Sequence, residues 1–369
     1  MTINDEPTCR WGILSTASIS RKNWNSIRYA KNATLIAVAS RDLGTAQQYI
    51  DENQLCAPFP QSPSALGSYE ALINSSDVDA VYIPLPTALR KEWVIKAANA
   101  GKHVLCEKPC GSSVQDLQEM LDACQANNVQ FMDGVMFMHS SRLSAMRSRL
   151  DDQTSVGKIR RITSQFCFRG DDEFSKSNIR VNGAMEPLGC LGDLGWYNIR
   201  LTLWAMNWEM PMSVRGQILN ESKKTSDAPE VPIEFAADLQ FANGVSANLY
   251  CSFNTELLQL FTICGDKGYL QVDDFVLPFF GARTQFDIRK AHLRIEGCDF
   301  DMEDRTETVY LNEYSNANET AQEVNMIREF SRNVLSGSVD AFWSDIAMKT
   351  QIVCNACLES ARSNAPVTL

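Results

Sequence analysis

Several features are scarce in this chain of 369 residues. No apolar run reaches the ~20 residues that cross a bilayer. The opening residues, Met1-Thr2-Ile3-Asn4-Asp5-Glu6-Pro7, carry no basic stretch, apolar stretch or arginine pair, so no export signal is expected there. Histidine is rare, with only His103, His139 and His292. That argues against a histidine-built metal site, and no metal is expected. Basic residues are outnumbered, 34 against 45, for a formal net charge of -11. Such a balance argues against nucleic-acid binding and against docking on anionic membranes. The twelve cysteines are scattered through a long chain. A stapled secreted scaffold is short and cysteine-dense, so a reduced, cytoplasmic protein is expected.

What remains is ample for a folded core. Hydrophobic residues make up 44% and charged residues 21%, and the length allows two or three domains. The first third alternates strand and helix patterns. Strands are predicted over Trp11–Leu14, Thr34–Ala39, Val78–Ile83, His103–Cys106 and Val129–Met132. Helices are predicted over Ile19–Tyr29, Ala46–Asn53, Tyr69–Asn74, Trp93–Ala100 and Val114–Asn127. This is the rhythm of a doubly wound parallel sheet. Beyond about residue 150 the pattern changes. Arg161–Phe168, Glu234–Phe241, Val245–Phe253, Leu258–Cys264 and Tyr269–Asp273 read as strands with short polar links, of which Asn243-Gly244 is the clearest hairpin signal. A large, mainly antiparallel open sheet follows, with helices near Ala321–Leu335 and Asp345–Ala361 expected to cover part of it. The boundary falls between Asp133 and Leu150, giving domains 1–134 and 135–369. The polar stretch Asn220–Glu230 reads as a loop or insertion.

Four clusters carry candidate chemistry. The first strand runs into Ser15-Thr16-Ala17-Ser18-Ile19-Ser20. A Rossmann turn needs small residues there, so that the backbone can approach a pyrophosphate at the helix N-terminus. Ser15, Ala17 and Ser20 stand at the three glycine positions, and an ordinary strand–helix turn is the competing reading. The second strand ends at Ser40-Arg41-Asp42, about where such folds read the ribose 2′ position. A hydroxyl and a guanidinium suit a 2′-phosphate, which favours NADP and leaves NAD open; a solvated arginine paired with Asp42 is the alternative. Third, Glu107-Lys108-Pro109 ends a strand after Gly101-Lys102-His103-Val104, and places a lysine where open sheets bind ligands. The Lys108-Pro109 bond is open to either isomer. Fourth, Gly189-Cys190-Leu191-Gly192-Asp193-Leu194-Gly195-Trp196-Tyr197 sets Asp193 and Tyr197 four residues apart, on one face if the segment is helical. A buried Asp–Tyr pair is the structural alternative. Among the rest, His139 is a candidate pocket residue, Trp196 either stacks on a sugar or packs, and Arg200 either meets substrate or forms an ion pair. Cys354 and Cys357, with no second pair nearby, read as core. Cys106 and Cys110 read as small apolar fillers, and the helix around Trp343 as packing between domains.

Taken together, these clusters make the chain resemble the glucose–fructose oxidoreductase / inositol dehydrogenase family, Gfo/Idh/MocA. The resemblance spans nearly the whole chain. It includes Val81-Tyr82-Ile83-Pro84-Leu85-Pro86-Thr87 and Gly265-x-x-Gly268-Tyr269-Leu270 as well as the four clusters. The pattern is most similar to the branch of NADP-dependent xylose dehydrogenases and dihydrodiol dehydrogenases. The resemblance implies reversible hydride transfer between a nicotinamide and a carbinol carbon of a sugar, polyol or cyclic diol. Tyr197 would be the acid/base, Lys108 its ammonium partner, and Asp193 would orient hydroxyls. It implies cofactor contacts from Ser15, Thr16, Ala17, Ser18, Ile19, Ser40, Arg41, Pro84, Leu85, Pro86, Thr87, Arg90, Glu107 and Lys108. Homodimers or homotetramers through the second-domain sheet are implied too. Departures lie at Thr87 and Arg90, where the related pattern is Pro-Asn-x-x-His, and at Met138, where arginine is frequent. The changes at Thr87 and Arg90 put the substrate's identity in doubt. A non-catalytic NADP-binding regulator and an NAD-dependent glycosidase stay open as alternatives.

Overall fold

The protein was analysed as a computed structural model, which describes residues 7–222 and 229–369. The expectation drawn from Met1–Glu6, and the middle of the expected loop at residues 223–228, lie outside the described residues. The chain forms two compact units that interleave in sequence, where sequence reading sets one boundary after residue 134. One unit takes Met1–His139, Ala184–Pro187 and Asn316–Gln351, and the other takes Ser140–Gly183, Leu188–Ser315 and Ile352–Leu369.

The first unit alternates strands and helices in chain order: β1 (Cys9–Leu14), α1 (Ser20–Tyr29), β2 (Ala33–Ala39), α2 (Leu43–Cys56), β3 (Ser64–Leu66), α3 (Tyr69–Ile73), β4 (Ala80–Ile83), α4 (Thr87–Asn99), β5 (His103–Cys106), α5 (Val114–Ala126) and β6 (Phe131–Asp133). The strands pair in parallel in the order β3-β2-β1-β4-β5-β6. All four residues of β4 are buried, as expected of a strand covered on both faces. Three helix starts are fixed by side-chain caps: Asp42 on α2, Ser68 on α3 and Ser113 on α5.

The second unit holds α6 (Ser141–Asp151), β7 (Ile159–Cys167), α7 (Asp172–Ser177), α8 (Trp196–Ala205), β8 (Ser213–Glu221), β9 (Pro232–Gln240), β10 (Ser246–Ser252), β11 (Leu258–Gly265), β12 (Tyr269–Val272), β13 (Thr284–Glu296) and β14 (Asp299–Leu311). The chain then forms α9 (Gln322–Ser336), α10 (Ala341–Ser363) and β15 (Val367–Thr368). The second sheet runs β14-β13-β12-β11-β7-β10-β9-β8-β15, antiparallel except where β7 meets β10. Its strands alternate, with Phe235, Leu239, Leu249, Phe261 and Ile263 buried on one face. The other face is a polar groove of about 370 Å³ that includes Thr163, Gln165, Asp238, Asn248 and Tyr250.

Two sequence expectations change. The helix expected near Ala321–Leu335 does not cover the second sheet. As α9 it belongs to the first unit, where Phe330 packs on Trp11 at 5.0 Å and Ser331 accepts the Trp11 indole N–H at 3.0 Å. Its apolar residues Val324, Ile327 and Phe330 recur at helical spacing and form the buried stripe that docks there. The expected loop at Asn220 begins inside β8, which ends at Glu221. Trp343 stacks on His139 at 4.6 Å within the first unit, and its helix α10 runs on from that unit into the second after Gln351. Among the described residues no helix is long and apolar enough to cross a membrane.

Candidate active site

The first unit gathers its polar loops at the carboxyl ends of β1, β4 and β5. The strand order reverses between β1 and β4, and open parallel sheets bind ligands at such a point. The β1–α1 turn supplies an anion cradle. Ser15 has φ +136°, a backbone setting natural to glycine, which explains why a glycine is usual here. Its Oγ accepts the Ala17 N–H at 3.2 Å. Among the described residues, the N–H groups of Thr16, Ser18 and Ile19 make no hydrogen bond within the protein. The first turn of α1 holds no acidic residue and carries Arg21 and Lys22. Free N–H donors at a positive helix end fit a pyrophosphate. Ser20, by contrast, is buried and bonds the Ala17 carbonyl at 2.5 Å and lies 2.9 Å from the Tyr49 hydroxyl, so it serves packing.

At the tip of β2, Asp42 caps α2. It accepts from the Thr45 N–H at 2.7 Å and the Thr45 hydroxyl at 2.8 Å, which lower its pKa. Arg41 is exposed and makes no ion pair among the described residues, so the Arg41–Asp42 pairing is not formed. An uncommitted guanidinium here suits a 2′-phosphate. Ser40 is buried, with its N–H donated to Leu66 O at 3.0 Å.

After β4, Pro84 and Leu85 are buried and Pro86 is half-buried. Thr87 opens α4, with its N–H donated to Glu186 Oε1 at 3.1 Å and its hydroxyl to Glu186 Oε2. Arg90, expected at the cofactor, is buried instead. Its Nε donates to Leu85 O at 2.7 Å, and Nη1 donates to Thr87 Oγ1 and Pro109 O. A guanidinium spent on two loop carbonyls clamps the β4–α4 and β5–α5 loops together. Lys108 follows β5 half-buried, and its bond to Pro109 is cis. Glu107 is buried; Tyr82 donates to its Oε1 at 2.6 Å and Lys108 N–H to its Oε2 at 3.2 Å. Cys106 and Cys110 are buried, and burial pushes the Cys106 thiol up to about 12, as an inert filler requires.

In the second unit the Gly189–Tyr197 segment is a single run of helix with a change of pitch. Leu191–Gly195 is a π-helical turn, which carries Asp193, and α8 begins at Trp196. Such turns are frequent at functional sites. Glycines make this possible. Gly189 has φ +51°, and a Cβ there would lie 2.2 Å from the Pro232 carbonyl oxygen. At Gly195 a Cβ would meet Leu191 Cδ1 at 2.8 Å. Asp193 accepts from Arg180 Nε at 2.9 Å. Tyr197 is 7% exposed, with its ring edge-on to Phe166 at 5.7 Å. Trp196 and Arg200 are both fully buried. His139 is half-buried in the first unit, stacked on Trp343. Cys354 and Cys357 are buried with pKa values raised by burial, consistent with core packing. Glu186 and Arg180 had no sequence signal, because each meets its partner across a loop: Glu186 is 99 residues from Thr87 and Arg180 is 13 from Asp193.

The chain matches the description "Oxidoreductase family, NAD-binding Rossmann fold" over residues 9–135 and "GFO/IDH/MocA C-terminal domain" over residues 144–271. It is 29% identical over 265 residues to D-xylose 1-dehydrogenase (NADP(+)) 2 of Haloferax volcanii, covering 71% of this chain and 75% of that one. It is 28% identical over 270 residues to the trans-1,2-dihydrobenzene-1,2-diol dehydrogenase of Bos taurus, covering 72% and 74%. Among solved structures, a 3-ketoreductase from Actinomadura kijaniata in complex with NADP and TDP-benzene has the same fold. Its TM-score is 0.79 at 23% identity, over 96% of this chain and 98% of that one.

Proposed function

We propose a function from the premise that this chain belongs to the Gfo/Idh/MocA oxidoreductase family. The protein is an NADP-preferring dehydrogenase or reductase of a sugar, polyol or cyclic diol. The observation that carries this reading is the set of strand ends at the β1/β4 reversal: free N–H donors at α1, unpaired Arg41 after β2, and Lys108 after β5. The named activities of the xylose and dihydrodiol dehydrogenases support the substrate class.

A bound nicotinamide supplies or accepts the hydride. The chain's own groups handle the proton. A free phenol has a pKa of about 10, too high for a base at neutral pH, and a nearby ammonium lowers it. Tyr197 takes or returns the proton of the reacting hydroxyl, and Lys108 stabilises the phenolate and bonds the substrate oxygen. Asp193 orients neighbouring hydroxyls. Its charge is met by Arg180 at 2.9 Å. Thr16, Ser18 and Ile19 hold the pyrophosphate, and Arg41 the 2′-phosphate.

The polar groove of the second sheet is proposed as the face of a homodimer, a mass near twice 41.2 kDa by light scattering being the expected result and a mass near 41.2 kDa the contrary one. All the cysteines are unpaired, which supports a reducing, cytoplasmic location. The reading is tested with Tyr197→Phe. Turnover of a responding pentose, hexose or diol should fall about 10²–10⁴-fold, while NADP+ affinity stays within about twofold. Equal turnover in the variant removes Tyr197 from the reaction.

A further inference from the structure

Tyr82 sits inside β4, fully buried, and nothing in the reaction as described above requires a phenol there. Yet its hydroxyl joins three elements. It donates to Glu107 Oε1 at the end of β5, at 2.6 Å. The buried Asn23 side chain, on α1, faces the same hydroxyl and works against the rise in its pKa. The second oxygen of Glu107 accepts the Lys108 N–H at 3.2 Å.

Burial and the Glu107 charge push the ionisation of this phenol well up, so it is a fixed O–H donor. The carboxylate lies against Gly134, where an added Cβ would stand 3.2 Å from its Oε1. The Lys108 side chain therefore leaves a backbone whose amide is held by a carboxylate that is itself held by Tyr82. A reacting group misplaced by about 1 Å loses roughly 10²-fold in rate, so such support is worth having under an ammonium that must meet a phenolate.

We propose that Tyr82 is a positioning residue for Lys108, acting through Glu107. This rests on the reading of Lys108 as a catalytic residue. Tyr82→Phe keeps the ring and removes the O–H. With an accepted sugar, kcat should fall about tenfold, while KM for the sugar and for NADP+ changes less than about threefold. A purely structural tyrosine would move stability and KM without that separate loss in kcat.

A second readout needs no turnover. Reductive methylation with ¹³C-formaldehyde gives Lys108 a dimethylammonium resonance, assigned by its loss in Lys108→Arg. That resonance should shift in Tyr82→Phe and stay put in Tyr250→Phe, which opens the Tyr250–Glu234 pair of the second sheet. An unmoved resonance, or an unchanged kcat, overturns the proposal. If Tyr82→Phe does not fold, Glu107→Gln carries the same two readouts. If the wild type turns over no sugar or diol at all, the catalytic reading fails, and the resonance still decides whether Tyr82 positions Lys108.

Discussion

The two sheets handle polar chemistry in opposite ways. In the six-stranded sheet the strands are buried on both faces, and the polar groups are pushed to the carboxyl ends, into loops. In the nine-stranded sheet the strands alternate, and polar groups spread over a whole face. The chemistry-bearing segment of that unit, Gly189 to Tyr197, is held by close backbone contacts and is almost all buried. Loop ends can vary without disturbing a core; a packed helix start cannot. Binding and stability should therefore separate in the first unit and move together in the second.

The sharpest break of this comparison is at Gly189. Gly189→Ala forces a side chain into φ +51° and against a carbonyl 2.2 Å away. It should cost about 2–5 kcal/mol in denaturant unfolding, and turnover should fall with it. An alanine variant as stable as the wild type would mean that the π-helical turn is not set by this contact. Arg41→Ala should leave stability unchanged. It should weaken NADP+ binding by about 1.5–3 kcal/mol in calorimetry, with NAD+ affinity nearly the same. Equal losses for the two cofactors would refute Arg41 as the reader of the 2′-phosphate. The smallest effect is expected at Ser15→Gly, which relieves a positive φ. It should stabilise the first unit by about 0.5–1 kcal/mol without weakening NADP+ binding. A destabilised variant would show that the Ser15 hydroxyl, through its bond to the Ala17 N–H, outweighs the backbone strain.

Legibility followed the same divide. The parallel strands read directly from β-prone runs such as Thr34–Ala39, because burial on both faces leaves no polar positions to confuse the pattern. The hairpin turn at Asn243-Gly244 was equally plain, and Gly244 does take φ +80°. Strands β13 and β14 were missed. From Lys290 to Arg305 they are exposed, so no apolar period marks them, although the ladder runs from Thr284 to Leu311. Strand β3 is only three residues long. The placement of α9 could not be read either, because its apolar stripe states that it docks and not on what. Within the candidate site, the strand-end clusters were legible from their residue types. The burial of Arg90, Trp196 and Arg200 was not, because charge or aromaticity in a sequence does not report it. The Tyr82–Glu107 bond was hidden for a related reason: a tyrosine inside an apolar strand looks like core until its hydroxyl is seen to have a carboxylate for a neighbour.

In the proposed reaction the fold passes hydride between NADP and a carbinol carbon, with Tyr197 moving the proton. The most direct measurement is transfer of deuterium from C1-deuterated pentoses and hexoses, and from ring-deuterated cyclic diols, to NADP+. It would be followed by mass spectrometry in the wild type and in Tyr197→Phe. The account predicts labelled NADPH from the wild type and at least about a hundredfold slower labelling in the variant. Labelling at the same rate in both, or none from a wild type that binds NADP+, would contradict it.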